Sequence, residues 1–225
     1  MNIKLIVKRQ ASHDTAPYTH EYSYSGEGNI TVADWLTEIN QGEAKTDRIA
    51  WECGCLENKC GACAMRINGY PYLACSVFLK DVVKRGRILI EPLSKFPVVK
   101  DLVVDRGAMF DMLKGMRVWT ETKSESDFMQ DKALQYKAAQ CMQCGCCLEV
   151  CPNFIAGGDF AGAAGLVEAY RAIEQNDSDE HRAEMLKKYK KLFFSGCGQS
   201  LSCVKACPKK LPLDEIQARA NVGSL

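Results

Sequence analysis

Thirteen cysteines stand in this chain of 225 residues, and eleven of them fall into three spacings. Cys55, Cys60, Cys63 and Cys75 follow C-x4-C-x2-C-x11-C. Cys141, Cys144, Cys147 and Cys151, with Pro152 behind them, follow C-x2-C-x2-C-x3-C-P. Cys197, Cys203 and Cys207, with Pro208 behind them, repeat the second pattern with one member missing. Thiolates are soft ligands that suit iron in sulfide clusters. The first spacing is that of plant-type 2Fe–2S sites and the second is that of bacterial ferredoxins. The chemistry on offer is movement of electrons along a line of metal centres.

In a bacterial-type run the fourth cysteine serves a different cluster from the first three. Cys141, Cys144 and Cys147 are therefore expected to share a 4Fe–4S cluster with Cys207, and Cys151 to cross over and join Cys197 and Cys203. Ser200 stands where the missing cysteine would be. Three thiolates fit a 3Fe–4S cluster better than a Ser-ligated 4Fe–4S cluster, since thiolate is the softer ligand. In the first loop, Gly61 lets the backbone approach the sulfides closely. Cys53 could replace Cys55, but the four-residue gap before Cys60 favours Cys55. Cys146 is off the pattern and reads as a buried free thiol.

The elements that must position these residues change character along the chain. Ile3, Leu5 and Val7 alternate like a half-buried strand, and Tyr18, His20, Tyr22 and Tyr24 share a period-two face on a partner strand. Thr31 and Asp34 form a capping-box pattern that opens a helix carrying Val32, Trp35, Leu36 and Ile39, with Gly42 as its stop. Three cluster cysteines lie in the loop from Trp51 to Cys63. Strands are expected at 64–68, at 72–75 after a turn at Gly69, and at 87–91 before Pro92. The segment 92–101 is expected to cross between domains. Beyond it the periodicity is helical: Phe128, Leu134 and Tyr136; then Leu166, Ala169, Tyr170 and Ile173; then Met185, Leu186, Tyr189, Leu192 and Phe193; then a short helix after Pro212. The expected fold class is α+β. A β-grasp plant-type 2Fe–2S ferredoxin domain at 1–100 precedes an all-α bacterial-type ferredoxin domain at 101–225.

Charge is nearly balanced, with 29 Lys and Arg against 28 Asp and Glu, so nucleic-acid binding has no electrostatic support. No apolar stretch reaches the roughly 18 residues of a membrane span, and the N-terminus has no signal-peptide pattern. The protein is expected where thiols stay reduced, which favours metal over disulfides. From Arg182 onward there are nine Lys or Arg against three acids, a bias compatible with a membrane surface. The run Lys187, Lys188, Lys190 and Lys191 reads first as a solvated helix face. His13, His20 and His181 match no motif, and no dinucleotide fingerprint is present, so the chain itself supplies no catalytic acid, base or hydride site.

The order of one plant-type motif and two bacterial-type motifs, the second lacking a cysteine, closely resembles the iron–sulfur subunits of succinate dehydrogenase and fumarate reductase. The likeness extends over nearly the whole chain, including Cys60-Gly-Ala-Cys63-Ala-Met65-Arg-Ile-Asn68-Gly69, Lys100-Asp-Leu-Val-Val-Asp105 and Cys207-Pro-Lys-Lys-Leu-Pro212. The resemblance implies a flavoprotein partner with FAD that interconverts succinate and fumarate, so that the dicarboxylate site lies on another chain. It also implies a membrane anchor, often a cytochrome carrying haem b, where quinone is used. The implied order of centres is FAD, 2Fe–2S, 4Fe–4S, 3Fe–4S, quinone, and the implied location is the cytoplasmic side of the cell membrane, peripheral to it. Many members carry Trp shortly after the first Cys-Pro and His after the first cysteine of the second run; here the residues are Asn153-Phe154-Ile155 and Gly198. In this respect the chain is more similar to members whose quinone site lies within a two-haem anchor. A soluble fumarate reductase component that does not use quinone and a stand-alone multi-cluster carrier are the alternatives.

Overall fold

A computed structural model describes residues 1–119, 131–175 and 179–221. Two compact units divide the chain, 1–105 and 106–225.

The first unit is built on strand β1 (Asn2–Arg9), whose Ile3, Leu5 and Val7 are buried while the residues between them are more open. It pairs antiparallel with β2 (Tyr18–Ser25) and parallel with the later strand β5 (Arg87–Glu91). Helix α1 (Val32–Gln41) lies between them in sequence. Its N-terminus carries the full reciprocal capping box, Thr31 with Asp34, and Gly42 ends it with an N–H to the Glu38 carbonyl. The buried face of α1 contains Val32, Ala33, Trp35, Leu36 and Ile39. Strand β3 (Ala64–Ile67) turns at Gly69, at φ +81, into β4 (Tyr70–Leu73), and the sheet order is β2-β1-β5-β3-β4. A short helix α2 (Leu79–Val82) precedes β5, and a hairpin of β6 (Val98–Lys100) and β7 (Val103–Val104) completes the unit.

Three expectations differ here. Of the tyrosine face on β2 only Tyr22 is fully buried, because β2 is an edge strand; Tyr22 meets Trp35 edge-on at 5.8 Å, while Tyr18 is half exposed. The return strand ends at Leu73, and Cys75 sits in a 3₁₀ turn (Ala74–Ser76) just past the Ala74 N–H, which makes the last in-register bond, to the Cys63 carbonyl. The segment 92–101 packs back onto the first unit, burying Leu93, Phe96 and Asp101.

Asp101 explains that return. Arg9 is 2% exposed and its Nε donates to Asp101 Oδ1 at 2.9 Å. The same carboxylate accepts from the backbone N–H groups of Gln10 and Ala50. The remaining Arg9 donors reach Tyr22 Oη and the carbonyls of Asp47 and Arg48. Asn40, near the end of α1, exchanges two hydrogen bonds with the Ile49 backbone. Residues 47–50, which lead into the cysteine loop, are thereby tied to both strand and helix.

The second unit has helices and no strands among its described residues: α3 (Gly107–Gly115), α4 (Lys132–Ala138), α5 (Cys146–Glu149), α6 (Gly162–Glu174), α7 (Asp179–Leu192), α8 (Ser202–Ala206) and α9 (Leu213–Asn221). Helix α6 is the centre, with Leu166, Ala169, Tyr170 and Ile173 all buried. Its small residues allow close approach: a Cβ on Gly165 would lie 3.0 Å from Met116 Sδ. Met185, Tyr189 and Phe193 form the buried stripe of the α7 region, with Leu186 and Leu192 partly covered. On α4 the buried residues are Leu134, Gln135 and Ala138; Tyr136 is 74% exposed because α4 turns only one face to α6. Phe128 lies outside the described residues. Lys187, Lys190 and Lys191 are exposed, as are His13 and His20, whereas His181 is buried.

Breaking a buried ion pair by removing one partner costs about 3–5 kcal/mol, far more than losing an exposed pair. Asp101→Ala is therefore expected to lower the stability of the first unit by about that amount. Lys4→Ala, which removes the exposed pair with Glu21, is expected to leave the denaturation midpoint nearly unchanged. Chemical denaturation followed by tryptophan fluorescence checks both; equal effects would contradict the assignment.

Candidate iron–sulfur sites

In the first unit the loop between α1 and β3 is bent by left-handed residues: Leu56 at φ +55, Asn58 at φ +56 and Gly61 at φ +76. Glycine takes such a backbone freely and asparagine tolerates it, whereas Leu56 is strained there. The result is a row of N–H groups turned toward sulfur. Glu57 and Lys59 donate to Cys55 Sγ at 3.3 and 3.2 Å, Asn58 donates to Cys75 Sγ at 3.3 Å, and the Cys55 N–H meets Cys60 Sγ at 3.4 Å. The Glu57 and Lys59 N–H groups bring the Cys55 thiol down to about 7, Glu57 contributing most. Cys63 and Cys75 bring their sulfurs to 3.4 Å from each other, and burial pushes the Cys63 thiol up to about 12. Gly54 keeps the loop narrow, because a Cβ there would lie 3.2 Å from Cys60 Sγ. Cys53 is exposed.

Two small cavities of the second unit are lined by the cysteines of the bacterial-type runs. One is lined by Cys141, Cys144, Cys147 and Cys207, against Ala164, Val167, Leu211 and Leu213. The other is lined by Cys151, Cys197, Cys203 and Ser200, against Phe160, Phe193 and Gln217. Ala163 belongs to both walls. Burial pushes the Cys141 thiol up to about 12 and raises those of Cys147, Cys203 and Cys207. Cys144 is brought down to about 7, chiefly by the thiol of Cys146, which is fully buried beside it.

The internal repeat is also a repeat of backbone shape. Gln143 and Gln199, each two residues after the first cysteine of its run, have φ +51 and +53. Gly145 and Leu201, two residues further on, are left-handed as well and stand at the N-termini of α5 and α8.

These residues fit iron–sulfur clusters. Among the described residues, no group of three or more His, Cys, Asp or Glu side chains could hold a single metal ion. The thiols instead surround spaces suited to a larger object, and buried thiolates need nearby positive charge. Two contributors were invisible in the spacing: Gln143, whose Nε2 lies 3.4 Å from Cys141 Sγ, and Gln217, whose Nε2 lies 3.1 Å from Cys197 Sγ. Gln143 lies inside a motif and could have been flagged there. Gln217 lies ten residues beyond the last cysteine, on a helix with nothing to mark it.

Residues 4–111 match the family described as a 2Fe-2S iron-sulfur cluster binding domain, and residues 137–211 match that described as a 4Fe-4S dicluster domain. The fold and these sites define an electron-transfer protein with a plant-type ferredoxin domain followed by a two-cluster ferredoxin domain. The succinate dehydrogenase iron–sulfur subunit of Bacillus subtilis is 36% identical over 97% of this chain and 91% of its own length. The fumarate reductase iron–sulfur subunit of Wolinella succinogenes is 34% identical over 88% of this chain and 85% of its own. A chain of the Mycobacterium smegmatis Sdh1 complex in its apo form shares the fold, with a TM-score of 0.78 at 21% identity over 99% of this chain and 96% of that one. This chain belongs to the family of iron–sulfur subunits of succinate dehydrogenase and fumarate reductase, and its role is electron transfer within such an oxidoreductase. Among the described residues, no helix is long and apolar enough to cross a membrane.

Proposed function

We propose that this chain relays electrons between the FAD site of a flavoprotein and a quinone site in a membrane anchor of the cytochrome b type. It would lie peripherally on the cytoplasmic side of the membrane. The ligand sets proposed are Cys55, Cys60, Cys63 and Cys75 for 2Fe–2S; Cys141, Cys144, Cys147 and Cys207 for 4Fe–4S; and Cys151, Cys197 and Cys203 for 3Fe–4S. The observation that carries the reading is the division of the cysteines of both bacterial-type runs between two adjacent cavities, in the sets their spacing implies.

When bound, such clusters accept and release single electrons. The work of the chain is to hold and tune them. The N–H groups of Glu57, Asn58 and Lys59 offset thiolate charge in the first loop. Ala164, Val167, Leu211 and Leu213 keep water from the Cys141 side, and the stacked rings of Phe160 and Phe193, 5.5 Å apart, do so on the Cys197 side. The single methyl of Ala163 keeps the wall common to the two cavities thin.

Purification in mild detergent is expected to bring down a flavin-containing chain and a haem-containing membrane chain together with this one. A flavin chain alone would favour the soluble alternative, and neither would favour a free carrier. Cys55→Ser is expected to damage the 2Fe–2S resonance more than Cys53→Ser, because the loop N–H groups point at Cys55. Loss of that resonance only in the Cys53 variant would reverse the ligand choice. Ser200→Cys is expected to shift the three-iron centre toward 4Fe–4S and to lower its potential, since the fourth thiolate adds negative charge. A parent complex that lacks the oxidised three-iron resonance would sink this assignment.

A further inference from the structure

The first cysteine of each bacterial-type run has a glutamine amide at its sulfur, but the two glutamines come from different places. For Cys141 it is Gln143, within the run. Gln143 also gives Nε2 to Glu168 Oε1 at 2.7 Å, and its contact with sulfur is the longer one, 3.4 Å. For Cys197 the run's own equivalent, Gln199, is exposed, and the donor is Gln217 from α9, at 3.1 Å.

Gln217 is built into this position. It is 6% exposed, on the buried face of α9 with Leu213, Ile216 and Ala220. One turn further on, Asn221 Oδ1 accepts from Tyr189 Oη at 3.2 Å, tying that face of α9 to α7. A long polar side chain on an apolar helix face needs a reason, because burying an unpaired amide costs free energy. The sulfur supplies it. A thiolate can only accept, so the carboxamide must turn its NH₂ toward Cys197.

We propose that Gln217 is a positioning and tuning residue: its side-chain N–H···S bond to Cys197 raises the reduction potential of the centre held by Cys151, Cys197 and Cys203. The inference rests on the ligand set proposed above. A hydrogen bond to a ligand sulfur stabilises the state with more electron density on that sulfur, which is the reduced one. No proton is transferred; the Gln217 N–H bond persists in both states, and one electron is gained or lost. Gln217 therefore biases the last bacterial-type centre toward holding its electron, while the Cys141 site receives only the weaker, shared donation from Gln143.

The test uses the intact complex and potentiometric titration read by electron paramagnetic resonance. Gln217→Met keeps the length and apolar packing of the side chain but removes the donor. At a fixed ambient potential it is expected to lower the reduced-to-oxidised ratio of the Cys197 centre about tenfold, a one-electron shift of about 59 mV. The midpoints of the other two centres are expected to stay in place. In the parent, electron–nuclear double resonance with glutamine side-chain ¹⁵N is expected to show a coupling at the Cys197 centre. That measurement decides the matter even if the Met variant fails to assemble. An unmoved midpoint in an assembled variant, or no ¹⁵N coupling in the parent, overturns the role of Gln217 and leaves the relay function standing. Absence of any centre bound by Cys197 in the parent overturns both.

Discussion

Each bacterial-type run gives its last cysteine to the other's cavity. Cys207 lines the space of Cys141, Cys144 and Cys147, and Cys151 lines that of Cys197 and Cys203. The rest of the second unit follows from this exchange. The chain leaving Cys151 must travel through α6 and α7 and still return its next run to the place it left. Helix α6 makes that possible by being narrow where it matters. Ala161, Gly162, Ala163, Ala164 and Gly165 are all buried, and a Cβ on Gly162 would come within 2.3 Å of Leu148 Cδ2. Bulk comes later along the helix, where Tyr170 and Ile173 fill the core.

Both kinds of site use the same backbone device. Left-handed residues reverse the local chain direction so that successive N–H groups point inward; this is the concave nest that binds anions and cluster sulfurs elsewhere. In the first bacterial-type run the second reversal falls on Gly145; in the other it falls on Leu201, which carries a side chain in a conformation that costs about 1–2 kcal/mol. The strain sits at the edge of the Cys197 cavity, the kind of place where strained backbone tends to collect.

Much of this was legible in the sequence, for a physical reason. Metal ligation imposes fixed spacings, so the three cysteine patterns announce their sites whatever surrounds them. Local chemistry was equally readable: the capping box of Thr31 and Asp34, the alternation of Ile3, Leu5 and Val7, and the turn at Gly69 depend on near neighbours. What could not be read depends on distant partners. Arg9 looks like a surface residue at a strand end until Asp101 arrives to bury it. Tyr136 has helical spacing but only one side of α4 is covered. Cys75 lies past the last strand residue, Leu73, in a 3₁₀ turn whose first N–H, that of Ala74, still meets the Cys63 carbonyl across the hairpin. Gln217 is a generic helix residue until α9 is set against Cys197.

The exchange of cysteines also bears on how the protein is made. Neither cavity has its full set of thiols until both runs are in place, so a chain with one site complete and the other open gains little from the first. With the ligand sets proposed above, metal binding would be coupled to folding. Loading of the two sites should behave as one cooperative event, and newly made chains should divide into finished ones and open ones with few in between. A chain left open would lack the packing that hides α6, the small-residue helix buried in this fold, and would be the easier substrate for cellular proteases.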